Sequence, residues 1–585
     1  MWRYRVWVVL VAVAATTVGA WWIDRLALKV QVNSYLFSYG FWASSLPVCV
    51  LLGALIALTG RAALSSFLSL ALMACLCLIN AEKIKYLALP LTAFDGYLLK
   101  HPDWNTVVLF AHYINAAWLL LGFVLLVAGA VLLWRIERPL LIGRVLVRLG
   151  CLAVVLGVGA YLLFGDMGRR AYSEELLGIS PASPFLTQFR AGVLGTLLHE
   201  TDYMGQALDE PIDGRAVKQL KLRLNLPSSD AATFAGIPPD VVVIQSESFF
   251  NPDVLEEVPD TTPWLPSLHQ ATAVGVSGLM TVPTFGGGTL RTEFEVLTGI
   301  PLAAYPRMQF PYLQISRDTL PGLPHAFDDA GYRTVAIHGN SGEFWNRRYA
   351  FRSLGFSTFV TTHEFKPTGF KDGLFLSDHS MTEEIIAQLQ QEQRPTFVFA
   401  ISIEAHGPYK GAPVNDEAAR MAIAMPAGLS RVGRDEFSRY AYHIAAADRE
   451  FGRLWSYLEH RGRPYVLVFY GDHLPGFEKV YRELRFRNGQ PAESQRVPWV
   501  AVSNVPGHGS TRNMYAWMLP QTVLELAHVK APAYFSFAAA AGREAMGEAD
   551  GADNSQLLDG LYSAARMQLD DAFDDDVDPK VRHAL

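Results

Sequence analysis

With 585 residues the chain has room for two or more domains, and its net charge of −7 gives it no global basic field. No nucleic-acid motif is present either, so nucleic acid is excluded as an expected partner. Mean hydropathy is +0.17, and the apolar residues crowd into the first 165 positions, which argues against a wholly soluble chain. The four cysteines, Cys49, Cys75, Cys77 and Cys151, all lie in apolar runs. They read as small core residues rather than disulfides or zinc ligands.

Five apolar runs come first, at about 6–23, 41–59, 64–81, 107–134 and 145–164. Each is close to the roughly 20 residues that cross a bilayer as helix. Arg3 and Arg5 before the first run, with Val18-Gly19-Ala20 near its end, also fit a cleavable signal. Four further spans make an uncleaved helix the more natural reading. Arg3 and Arg5, then Arg61, then Arg135, Arg138 and Arg144 mark alternate membrane ends and read as cytoplasmic. Five spans then put everything after residue 165 outside. Ser183-Pro184 opens a helix with Phe185, Phe189, Val193, Leu197 and Leu198 on one face. It is expected to lie on the membrane or to dock on the soluble domain. The polar stretch 206–235 reads as a linker.

From residue 236 the pattern alternates strand and helix. Four apolar runs end in polar clusters: Val241–Ile244 before Glu247, Thr334–Ile337 before His338, Thr396–Ser402 before His406, and Val466–Tyr470 before Asp472 and His473. Such runs suit strands buried on both faces of a parallel sheet, and open α/β sheets bind ligands beyond their carboxyl ends. Residues 280–301 contain three glycines, Gly286 to Gly288, followed by Thr289 and a short amphipathic helix stopped by Gly299 and Pro301. Thr289 at a helix N-terminus faces free N–H groups that favour an anion. Its hydroxyl is a nucleophile toward phosphorus if its pKa is lowered; it is equally an ordinary N-cap. Glu247, Asp472 and His473 with Thr289 Oγ make four ligands for Zn²⁺ or Mn²⁺. Arg347 suits a phosphate through its planar fork, and His406 can protonate a leaving oxygen. His338 ends another strand and is placed behind the site. Residues 546–585 are acidic and read as a solvated tail.

The blocks around Glu247, Thr289, Trp345-Asn346-Arg347, His406 and Asp472-His473 together resemble the lipoteichoic acid synthase-like phosphoglycerol transferases of the alkaline phosphatase/sulfatase superfamily. The resemblance implies about five transmembrane helices (1–165), a juxtamembrane helix and linker (166–235), an α/β sulfatase-like catalytic domain with a mainly parallel sheet (236–545) and the acidic tail. It implies that Glu247, Thr289, Asp472 and His473 hold one divalent cation, Mn²⁺ in this family, with Zn²⁺ or Mg²⁺ as alternatives. Thr289 would be the nucleophile, and Trp345, Arg347 and His406 would line the glycerol-phosphate pocket. The donor would be phosphatidylglycerol in a bacterial inner membrane. The acceptor would be a glycan or polymer on the periplasmic or extracellular side, either a periplasmic glucan or a lipoteichoic-acid-like chain. A sulfatase needs a Cys or Ser nucleophile where this chain has Thr289. Phosphoethanolamine transferases acting on lipid A usually carry a disulfide-rich domain, and this chain has no cysteine after Cys151. A membrane-anchored sensor with a dead enzyme domain is the non-enzymatic alternative, against which Thr289 and Asp472-His473 stand.

Overall fold

The computed structural model describes residues 2–28, 38–87, 90–93, 95–96, 116–140, 145–177, 184–204, 208–226, 236–258, 264–315, 317–365, 370–391, 393–477, 479–505, 511–547 and 554–573. Two compact units are present, Met1–Ala207 and Leu208–Leu585. Their division falls inside the segment 166–235 expected as one juxtamembrane piece.

Unit 1 is helical: α1 (Trp2–Leu28), α2 (Tyr39–Thr59), α3 (Ala62–Leu87), α4 (Ala116–Ile136), α5 (Val145–Phe164) and α6 (Pro184–Met204). Among the described residues four helices are long and apolar enough to cross a membrane, at Tyr4–Ala27, Tyr39–Thr59, Ala62–Ile84 and Val145–Phe164. The fourth sequence run matches α4 from Ala116; its first part, 107–115, lies outside the described residues. Helix α4 exposes Leu120, Phe123, Val124, Leu132 and Trp134. An apolar face turned outward fits lipid rather than water as its surroundings.

Helix α6 corrects an expectation. It packs within unit 1, with Ala191, Val193 and Thr196 fully buried. A kink at Gly192, whose φ is 72°, breaks its regular turn. Gln188 and Asn80 exchange two amide hydrogen bonds of 2.8 and 2.9 Å, which tie α6 to α3. Of the residues read as an interfacial or domain-docking face, Val193, Leu197 and Leu198 pack against other helices of this unit, and the side chains of Phe185 and Phe189 lie outside the described residues.

Unit 2 is built on an eight-stranded sheet in the order β10-β2-β9-β8-β1-β7-β3-β4. The strands are β1 (Asp240–Ser246), β2 (Val276–Thr281), β3 (Arg333–His338), β4 (Thr358–Val360), β7 (Thr396–Ile401), β8 (Tyr465–Gly471), β9 (Val497–Ser503) and β10 (Met514–Tyr515), with β5 (Lys371–Asp372) and β6 (Phe375–Leu376) forming a separate hairpin. All pairings in the large sheet are parallel except those of β9, which is antiparallel to β2 and β8. Strands β1, β3, β7 and β8 are buried along their whole length, as their unbroken apolar runs require. Register then decides what meets at the carboxyl ends: Ser246 pairs with Gly471, and Gln245 and His338 both pair with Ile401. Glu247 and Asp472 therefore stand at one level, with Ser402 one residue and His338 two residues nearer the sheet.

Unit 2 also contains α7 (Gly214–Leu224), α8 (Thr289–Thr298), α9 (Arg347–Ser353), α10 (Asp378–Gln390), α11 (Arg431–His460), α12 (Leu519–Ala527), α13 (Ala533–Gly547) and α14 (Ser555–Leu569). Two of these correct the sequence reading. The stretch expected as linker contains α7, whose Val217 and Leu220 are buried. The stretch expected as solvated tail contains α14, which buries Leu557, Leu561, Ala564, Ala565 and Leu569. The two helices meet: a Cβ on Gly560 would lie 3.0 Å from the carbonyl of Ala216. Lys221 Nζ donates to the carbonyl of Phe573 at 2.8 Å and sits 4.0 Å over its ring. The acidic run Asp574–Asp576 lies outside the described residues.

Candidate active site

The nucleophile loop leaves β2 and turns through Gly286, Gly287 and Gly288, with φ of 68°, 149° and 81°. Side chains rarely adopt these angles, and a Cβ on Gly288 would also lie 2.9 Å from Thr284 Oγ. Gly286 N–H donates to the carbonyl of Leu474 at 3.0 Å, which pins the loop beside His473. Thr289 is the first residue of α8 and is not its cap; Gly288 holds that place. The Thr289 hydroxyl donates instead to Glu247 Oε2 at 3.2 Å. One turn on, Thr292 Oγ donates to the backbone carbonyl of Asp472 at 2.7 Å, fastening the helix to the other strand end.

Ser248 organises the carboxylates. Its φ is +53°, unusual for a residue with a side chain. In that conformation its N–H donates to Asp472 Oδ1 at 2.7 Å and its hydroxyl to Glu247 Oε1 at 2.8 Å. Tyr440 OH donates to the Ser248 carbonyl at 2.8 Å and holds the turn from behind. His473 N–H gives Asp472 Oδ1 a second bond, at 2.8 Å. His473 Nδ1 faces the carbonyl of Leu474 at 3.0 Å, so it carries the proton and leaves the Nε2 lone pair directed elsewhere.

What remains is a cluster of ligand atoms. His473 Nε2 lies 3.4 Å from Asp472 Oδ2 and 3.6 Å from Glu247 Oε1. Asp472 Oδ2 and His473 Nε2 are buried without any hydrogen-bond partner. Ligand atoms of Glu247, Asp472 and His473 all fall within 4.8 Å of one another, and among the described residues no other group of three or more such side chains does so. Burial pushes the Asp472 carboxyl up to about 7, with Glu247 adding to the rise against the pull of His473. Two orphaned lone pairs and two crowded carboxylates are what a divalent cation would satisfy, so the residues fit the metal.

The sequence-predicted substrate residues have partners of their own. Arg347, expected to line the pocket, is only 2% exposed. Its Nε donates to both carboxylate oxygens of Glu293, at 3.3 and 3.1 Å, and its Nη2 lies 3.1 Å from Oε2. Its Nη1 lies 3.3 Å from His338 Nε2, while His338 Nδ1 lies 3.2 Å from the carbonyl of Ile401. Burial and the Arg347 charge hold His338 well below its usual range, so the ring is neutral and accepts from Arg347. His406 is half-buried, with its ring 5.1 Å from Phe375. Trp345 stacks on Phe310 at 4.7 Å, and it and Asn346 both have left-handed φ, 59° and 60°. Sequence reasoning missed Ser248, Thr292 and Glu293. The last two carried a readable signal: they follow Thr289 by three and four residues, on the same helix face.

A carboxylate–imidazole–hydroxyl cluster thus sits at the carboxyl ends of a mostly parallel sheet. Unit 2 is a sulfatase domain of the alkaline phosphatase superfamily: the family model described as Sulfatase matches residues 239–528. A Rhizobium meliloti (strain 1021) protein named for cyclic beta-1,2-glucan modification is 35% identical over 255 residues, covering 44% of this chain and 38% of that protein. This chain thus spans well under half the length of that relative. In fold, the chain resembles the Streptococcus pyogenes phosphoglycerol transferase GacH in complex with sn-glycerol-1-phosphate, at 20% identity and TM-score 0.50, covering 63% of this chain and 92% of that one. It resembles along nearly its whole length the Neisseria meningitidis lipooligosaccharide phosphoethanolamine transferase EptA, at 12% identity and TM-score 0.51, covering 92% and 98%.

Proposed function

We propose that this chain is a membrane-bound phosphoglycerol transferase. It moves glycerol phosphate from phosphatidylglycerol to a glycan or polymer acceptor outside the cytoplasm, in two displacements through Thr289. The observation that carries the reading is the Thr289 hydroxyl donating to Glu247 at the edge of a buried ligand cluster with unpartnered Asp472 Oδ2 and His473 Nε2. A divalent cation, Mn²⁺ by family resemblance, would lower the pKa of that hydroxyl and offset charge on the phosphoryl oxygens.

Thr289 Oγ attacks the phosphorus, its proton leaving along the bond to Glu247, and the bond to diacylglycerol oxygen breaks. His406 gives the departing oxygen its proton. Glycerol phosphate is then an ester on Thr289 until an acceptor hydroxyl gives its proton to His406 and attacks the same phosphorus, the bond to Thr289 Oγ breaks, and Glu247 returns that oxygen its proton. Arg347 meets the phosphoryl oxygens. Helices in unit 1 keep the enzyme in the bilayer with its lipid donor, at high effective concentration. A glucan acceptor agrees with the name of the Rhizobium relative.

Intact mass spectrometry after brief exposure to phosphatidylglycerol without acceptor tests the reading. Glycerol phosphate should appear on Thr289 and be missing in T289A. The same exposure to phosphatidylethanolamine should leave no adduct. Diacylglycerol release in a burst with Thr289 unmodified would overturn the covalent route, and an ethanolamine phosphate adduct would replace the donor.

A further inference from the structure

We infer that Glu293 is a positioning residue, holding the Arg347 guanidinium in register with the Thr289 hydroxyl. The inference rests on the reading of Arg347 as the group that meets the phosphate. Glu293 follows Thr289 by one helical turn on α8, so the two side chains leave the same face of the same rigid element. Glu293 is fully buried and Arg347 nearly so. The carboxylate takes the Nε and Nη2 edge of the guanidinium, and His338 takes a proton of Nη1. Three of the five N–H groups are thereby engaged and two remain for a ligand.

A buried ion pair is a poor way to gain stability, because desolvation offsets most of its attraction. Two apolar side chains would join α8 to α9 as well. What the pair adds is direction: a planar, two-point contact fixes where the fork points. The backbone of Arg347 is braced from α8 too. Arg291 Nη1 donates to the carbonyl of Met308 at 2.7 Å. That segment carries Phe310, which stacks on Trp345, and Tyr312, whose carbonyl accepts from Asn346 Nδ2 at 2.9 Å. Nucleophile and phosphate fork are thus referred to one helix.

The test uses the full chain in detergent micelles with Mn²⁺, and inorganic phosphate as the probe. E293Q keeps the shape of the side chain and removes its charge. Phosphate affinity should fall about ten-fold, and KM for phosphatidylglycerol should rise by a similar factor, with metal content unchanged. R347Q should show the same loss, and E293Q/R347Q should be no weaker than R347Q, because Glu293 acts only through Arg347. A merely structural Glu293 would give losses that multiply. If E293Q alone fails to fold, the comparison of E293Q/R347Q with R347Q decides, since both lack the guanidinium. Wild-type phosphate affinity in E293Q, or multiplied losses in the double variant, would overturn the inference. A wild-type chain that binds phosphate in a Glu293-dependent way yet never cleaves phosphatidylglycerol would sink the donor reading and leave the positioning role standing.

Discussion

Ser248 and Asp472 are joined by a 2.7 Å bond from a backbone N–H to carboxylate Oδ1, and that bond turns the second oxygen, Oδ2, toward His473. The Ser248 hydroxyl holds Glu247 by Oε1, the oxygen beside His473, and leaves Oε2 to Thr289. Outer partners of this kind typically govern metal affinity by about 10- to 100-fold. S248A keeps the N–H and loses the hydroxyl, so Mn²⁺ affinity should fall about ten-fold without loss of fold. D472A and H473A remove ligands outright and should lose both ion and activity. Equilibrium dialysis with elemental analysis measures this; unchanged affinity in S248A would show that the turn needs only its backbone.

Glu295, a buried residue of α8, accepts a bond from Leu302 N–H at 2.8 Å. Burial pushes its carboxyl from 4.5 up to about 8. Folding therefore takes up a proton between those values, and stability falls as pH rises across that window. E295Q stays neutral and keeps the acceptor. Its melting temperature should match the wild type near pH 4.5 and exceed it by a growing margin up to about pH 8. A margin that does not change with pH would show that Glu295 is not protonated in the folded chain.

Helix α14 is buried against α7 rather than trailing in solvent. A chain ending after Phe573 should behave as wild type, while one ending after Gly547 should fail to accumulate. Within the full chain, L561D places a charge at a fully buried site and should cost about 3 kcal/mol or more. Protease resistance of the purified chains reads this out; a resistant chain ending at Gly547 would make α14 an accessory.

Arginine placement predicts the orientation of unit 1. A reporter fused after residue 140 should report cytoplasm, and one fused after residue 170 the opposite side, using alkaline phosphatase and green fluorescent protein in parallel. A cytoplasmic signal at 170 would remove the case for an extracytoplasmic transferase.

The sequence spoke most clearly where burial is complete. Strands β1, β3, β7 and β8 were legible because residues buried on both faces leave no room for polar side chains. Strands β2 and β9 were not read, since Gly278 interrupts one and Pro498 the other, and both weaken a strand pattern. The cluster of Glu247, Asp472, His473 and Thr289 could be read because each closes or follows a recognisable element. The Glu293–Arg347 pair could not, because it joins residues on two helices that nothing local connects. Helices α7 and α14 hid behind charge: each buries a stripe too narrow to stand out from its polar flanks.

Strand β9 has a consequence for how the protein is made. It is the piece of sheet that lies between β2, which leads to Thr289, and β8, which leads to Asp472. In the proposed orientation, export delivers Glu247 and Thr289 early, Asp472 much later, and β9 later still. Until residue 503 has crossed, the β2 fragment that leads to Thr289 is not joined through the sheet to the paired β1 and β8 that carry Glu247, Asp472 and His473. Docking of the nucleophile is thus tied to the end of secretion: chains stalled or clipped before β9 lack the strand that sets Thr289 beside its ligands, and expose no activated threonine to the lipid around them.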